Sequence, residues 1–143
     1  MNASANNQWA KWGMVPLRLA VGCIFLMHGS QKVFTFGISG TADILSWVGI
    51  PFASMFAVVL MFAEVGGGLA ILLGAFARPV GLMLAFEMVV AIFTSRIRGG
   101  FFTPNGFEFE LALMSACLTI ALVGAGGVSM DAVWRKSPAA AQP

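Results

Sequence analysis

The chain has 143 residues, of which 59% are hydrophobic and only 10% charged, with a formal net charge of +2. A soluble globular domain carries about 25% charged residues, so this composition, with a mean hydropathy of +0.88, excludes a water-dispersed domain and points to the lipid bilayer as solvent. The weak, scattered positive charge excludes a nucleic-acid-binding surface, because the basic residues form no stripe beside exposed aromatics.

In chain order, residues 1–12 read as a polar tail ending in Trp9, Lys11 and Trp12, residue types that favour the headgroup level. Nothing in this tail resembles a removable signal peptide, so the first apolar run is expected to stay in the mature protein. That run predicts a span over about 14–34, with Pro16 in its first turn, where a missing N–H is tolerated. Residues 37–51 are too short and too polar to span. Ile38, Leu45 and Val48 recur at nearly helical spacing, which predicts a short amphipathic segment on the membrane surface.

Further spans are predicted over about 51–76, 80–95 and 107–123, with a tight turn at Arg78-Pro79 and a Gly- and Pro-rich loop over 96–106. Gly124, Gly126 and Gly127 end the last span. The expected fold is therefore all-α: an integral membrane four-helix bundle over 13–128, followed by a polar tail over 129–143 that ends in a disordered Ala-Gln-Pro. Gly22 and Gly29, together with Ala63-x-x-x-Gly67 and Gly66-x-x-x-Ala70, permit close helix packing within it. With four spans both termini share one side. Lys11, Arg18, Arg78, Arg135 and Lys136 lie there, against Lys32, Arg96 and Arg98 opposite, so both termini are expected in the cytoplasm.

The residues that carry chemistry are the ionisable ones inside the spans. A charge at the bilayer centre costs roughly 2.5–3.5 kcal/mol on the insertion scale, so Glu64 and Glu87 must face the bundle interior or water. For either, the competing reading is a neutral hydrogen-bonded group that fixes packing. At 100° per residue, Arg18, Lys32 and His28 share one sector of the first helix, and Gln31 stands beside them. His28 can exchange a proton near neutral pH, and Arg18 is shallow enough to snorkel, so a headgroup anchor is its competing reading.

Asn105-Gly106 makes a turn, and Glu108 and Glu110 open the last helix, where its dipole favours acids. This corner is expected at the same membrane face as His28, Gln31 and Lys32, with Phe101, Phe102, Phe107 and Phe109 as an aromatic rim. Donors beside aromatic rings suit a quinone head group. Cys23 and Cys117 lie in apolar runs, and no CxxC pair exists. No metal is expected, and a single histidine cannot supply bis-histidine haem ligation.

Arg18-x-x-x-Gly22-x-x-Phe25-x-x-His28-Gly29-x-Gln31-Lys32-x-Phe34 resembles the opening signature of the DoxX family. Ala63-Glu64-x-x-Gly67-Gly68-x-x-x-Leu72-Leu73-Gly74 followed by Arg78 is similar to that family's second-helix pattern, and Asn105-Gly106-x-Glu108 to its motif before the last helix. The resemblance covers about residues 14–130. It implies a four-helix bacterial inner-membrane protein whose relatives include the membrane part of a thiosulfate:quinone oxidoreductase and membrane docks for soluble redox enzymes.

On this footing the expected function is a quinone-interacting subunit associated with a membrane oxidoreductase. Glu64 and His28 would handle protons, and Gln31, Lys32, Asn105, Glu108 and Arg18 would hold the head group; Glu87 and Arg78 fall to structural or ion-pair roles. Two alternatives stay open: a non-catalytic docking or stabilising subunit of a larger redox or energy-converting complex, and a small proton-coupled transporter driven by Glu64. Whether the chain is itself an enzyme is not decided at this level. Lipid and other redox subunits are the expected partners, with a homo-oligomer also open.

Overall fold

The computed structural model describes residue 9 and residues 11–136, and these form helices throughout, with no strand among them. In order they are α1 (Val15–Gln31), a π-helical segment (Lys32–Phe36), α2 (Gly37–Trp47), α3 (Ala53–Leu73), α4 (Ala77–Ala91), a second π-helical segment (Ile92–Arg96), a 3-10 turn (Ile97–Gly99), α5 (Glu108–Val123) and a short α6 (Met130–Lys136). The expectations for 1–8, 10 and 137–143 lie outside the described residues.

Among the described residues, three helical runs are long and apolar enough to cross a membrane: Val15–Trp47, Ala53–Leu73 and Ala77–Gly99. The fourth expected span corresponds to α5, whose 16 residues rise only about 24 Å, short of a ~30 Å hydrocarbon core. The first run is longer than its sequence suggested. The π segment carries α1 on to Phe36, and the segment read as separate, 37–51, holds a helix of its own, α2, because the backbone leaves the helical conformation at its first residue. Gly37, at φ 66°, then turns α2 back against α3.

The turn between α3 and α4 also falls earlier than expected. Gly74 adopts the left-handed conformation (φ 67°) that closes a helix C-terminus, and Phe76 enters α4. Arg78 and Pro79 then occupy the first turn of α4, where proline is tolerated.

Packing follows the small residues. The inward stripe of α1 is Arg18, Val21, Gly22, Phe25 and Gly29, and it lies on α3. A Cβ added at Gly68 would stand 2.6 Å from the Leu26 backbone nitrogen, and one at Gly22 would stand 2.9 Å from the Gly68 carbonyl oxygen, so these backbones touch. The second close pair is α4 with α5, where Gly81 faces the Cys117 carbonyl. Phe25, Ile71, Leu84, Cys117 and Ile120 fill the space between the pairs. Phe62, Phe86 and Leu122 point outward and are 76%, 68% and 78% exposed, the inverse of a soluble surface and the pattern of a lipid-facing one.

Candidate functional site

Lys32 begins the first π segment and reaches inward across to α3. Its Nζ stands 2.7 Å from both carboxylate oxygens of Glu64, donating to Oε1 with good hydrogen-bond geometry. Glu64 is 4% exposed, and its Oε2 meets the same ammonium as an ion pair without an aligned hydrogen bond. The approach is possible because Gly29, one turn before, lies against Val65 and the Glu64 Cβ. On α4, Glu87 faces Glu64 closely enough for the two carboxyls to interact, within the field of Lys32. Its own Oε2 is buried and unpartnered. Cys117 of α5, buried, lies within electrostatic reach of Glu87. Each of the four long helical elements thus contributes one group to a polar cluster within the bundle.

On the outer side of the same stretch of α1 lies a groove of about 470 Å³, lined by Met27, His28, Ser30, Gln31, Phe34 and Thr35. His28 and Gln31 are exposed, in contrast to Glu64. At 100° per residue Lys32 is about 40° from His28, on the border between the groove and the inward stripe. The π segment that starts at Lys32 widens the helix here and sets Phe34 and Thr35 on the groove side.

The remaining expected residues are elsewhere. Arg18 is buried at the opposite end, where all three guanidinium nitrogens donate to backbone carbonyls: Nε to Ile71 at 2.9 Å, Nη2 to Leu72 at 2.7 Å, and Nη1 to Ala125 and Val128 at 2.8 and 2.7 Å. Four of its five N–H donors are thereby engaged by the backbone. Arg78 is exposed beside Gly124, past the end of α5. Asn105 is exposed in the 100–107 loop and does not line the groove. Glu108 is held in that loop, accepting from the Thr103 backbone N–H at 2.8 Å and from the Thr103 hydroxyl at 2.6 Å.

Three features escaped sequence reasoning. Arg96, at the end of the second π segment, pairs with buried Glu110 at 2.9 Å. Asp131 accepts from the backbone N–H groups of Phe76 (2.8 Å) and Ala77 (3.0 Å), capping α4 from α6. Ser30 and Thr35 join His28 and Gln31 in the groove. The first was hinted at by Glu110 in an otherwise apolar run; the others join residues with no local sequence signal.

An all-helical chain with apolar outward faces and charge confined to its interior and ends is an integral membrane protein. The DoxX family model matches residues 13–96, more than half of the chain, and this chain belongs to the DoxX family. It is similar to the "Putative oxidoreductase CatD" of Bacillus subtilis (strain 168), 30% identical over 119 residues, 83% of this chain and 84% of that protein. It is also similar to two Escherichia coli (strain K12) proteins. "Inner membrane protein YphA" is 28% identical over 120 residues, 80% of this chain and 84% of the relative. "Inner membrane protein YqjF" is 30% identical over 128 residues, 87% of this chain and 93% of the relative. No solved structure matches the chain.

Proposed function

We propose that this protein crosses the inner membrane four times, both termini cytoplasmic, as a quinone-interacting subunit associated with a membrane oxidoreductase. α5 makes the fourth crossing, its short length extended by the flanking loops. The observation that carries the reading is the groove on α1: donors and acceptors (His28, Gln31, Ser30, Thr35) interleaved with apolar Met27 and Phe34, on a helix face open to lipid. A quinone is a lipophilic ring with two carbonyls, so it needs both an apolar wall and hydrogen-bond donors at bilayer depth. His28 and Gln31 donate to the carbonyls while Phe34 offers a ring face, and Lys32 with Glu64 stands one turn away to exchange protons. A relative that bears the name of a putative oxidoreductase supports the redox assignment.

The test is binding of a short-chain ubiquinone and a short-chain menaquinone to purified protein in lipid nanodiscs, comparing wild type with His28→Ala, Gln31→Ala and Glu64→Gln. The groove variants are expected to weaken binding by about tenfold, the effect of one lost hydrogen bond of ~1.4 kcal/mol. Equal affinity across all four proteins refutes quinone binding at this site. If those variants still co-purify with a redox enzyme, a docking subunit replaces it.

A further inference from the structure

Outside the groove, the interior cluster holds two carboxyls and one ammonium. Among the six described acidic residues, Glu110 has Arg96, Glu108 has Thr103, Asp131 has the start of α4, Glu64 has Lys32, and Asp43 is exposed. Glu87 forms no ion pair. Lys32 cannot serve both acids: its Nζ is committed at 2.7 Å to the two oxygens of Glu64. Oε2 of Glu87 is buried with no hydrogen-bond donor and no cation of its own, unlike Oε2 of Glu110, whose carboxylate has Arg96, and the Glu87 carboxyl is near enough to Glu64 for the two to interact.

Two carboxylates side by side in an apolar interior repel, and a buried acceptor without a donor costs roughly 1–3 kcal/mol. A single retained proton removes both penalties at once. It leaves one ammonium against one carboxylate, so the cluster is neutral, and it gives one carboxyl a hydrogen to donate to the other. The groups that face this point are Lys32 from the first helical run, Glu64 from α3, Glu87 from α4 and the Cys117 thiol from α5. None of them offers a second cation.

We infer that Glu64 and Glu87 form a one-proton binding site inside the bundle, in which Glu87 carries the proton and Lys32 holds Glu64 as the ionised partner. Lys32 is the point at which the site meets the outside, its side chain being 20% exposed against 5% for Glu64. Because Lys32 borders the groove, the proton is exchanged from that side. The site stands whether or not the groove takes a quinone, and it gives Glu87 a role beyond packing.

The measurement is infrared spectroscopy of the protein in lipid vesicles at neutral pH, in H₂O and D₂O, reading the carbonyl stretch of protonated carboxylic acids. Wild type is expected to show an isotope-sensitive acid band. Glu87→Gln is expected to lose it. Glu64→Gln is expected to lose it too, because Lys32 then pairs with Glu87 and ionises it, an outcome that packing alone does not produce. A wild-type spectrum without the band overturns the site, as does a band that survives Glu87→Gln. A band that survives Glu64→Gln shows a proton on Glu87 independent of its neighbour and overturns the shared site. Glu110→Gln and Glu108→Gln guard against Glu87→Gln failing to fold: both must keep the band, and its loss in either assigns the proton elsewhere and overturns the proposal.

Discussion

Lys32 and Glu64, 32 residues apart in sequence, meet inside the bundle with the Lys32 Nζ 2.7 Å from both carboxylate oxygens. The pair ties the point where α1 turns π-helical to the middle of α3. Taking both charges out of water is expensive, and their attraction repays this only while both are present. An ion pair of this kind is therefore a weak source of net stability and a strong specifier of which helix faces meet.

That asymmetry gives the first prediction. Lys32→Met leaves Glu64 buried without its cation and is expected to destabilise the protein by about 3 kcal/mol. The double variant Lys32→Met/Glu64→Leu removes the stranded charge and is expected to recover most of that loss. Reversible SDS unfolding followed by circular dichroism measures both. A double variant as unstable as the single one would show that the pair is not a closed unit.

Two glycines on α3, two residues apart, should respond in opposite directions. A Cβ at Gly68 would lie 2.6 Å from the Leu26 backbone nitrogen and 2.9 Å from the Gly22 carbonyl, so Gly68→Ala must push α1 away from α3. A loss of about 1–3 kcal/mol is expected from such overpacking. A Cβ at Gly66 meets nothing within 4 Å, and Gly66→Ala is expected to gain up to about 1 kcal/mol from helix propensity. The same unfolding assay compares them. Equal effects would contradict the helix contact described above.

How much was legible in the sequence depends on how local each signal is. The apolar runs and the glycines at 22 and 29 are one-dimensional signals, and they placed the helices and their contact faces. Glu64 was legible as an interior group because no carboxylate tolerates lipid, and Lys32 was on the right sector of its helix. The pairing was not legible, since it depends on the relative register of α1 and α3. Residues 37–51 were legible as a separate segment because the break at Gly37 is local, whereas the π segment that carries α1 on to Phe36 left no mark in the sequence. Asn105 and Glu108 were placed with His28 by sharing an end of the bundle, but Glu108 is already engaged by Thr103 within its own loop.

Asp131 illustrates a contact that sequence cannot announce, and it supplies a third prediction. Its carboxylate takes the N–H groups of Phe76 and Ala77, donors that the first turn of a helix leaves free. Asp131→Ala is expected to cost about 1 kcal/mol and to speed hydrogen exchange at the start of α4, with α5 unaffected. Asp131→Asn, which keeps an acceptor but no charge, should fall between. Uniform exchange in all three proteins would mean that α6 does not cap α4.

Arg18 was read from sequence as a headgroup anchor or a ligand donor, yet it is 4% exposed and spends four hydrogen bonds on backbone carbonyls. Two of these, Ile71 and Leu72, belong to the last turn of α3, where carbonyls lack helical partners and the dipole favours a cation. The other two, Ala125 and Val128, lie in the segment after α5, so one guanidinium joins three parts of the chain. Lysine keeps the charge but brings a single nitrogen that cannot reproduce the planar fork. Arg18→Lys is therefore expected to destabilise by about 3 kcal/mol, the loss of one to two charge-assisted hydrogen bonds, even though net charge is unchanged. Gly74 makes the geometry tight, since a Cβ there would sit 2.6 Å from the Arg18 guanidinium carbon. If Arg18→Lys unfolds at the wild-type denaturant concentration, charge alone holds this end together and the carbonyl contacts are incidental.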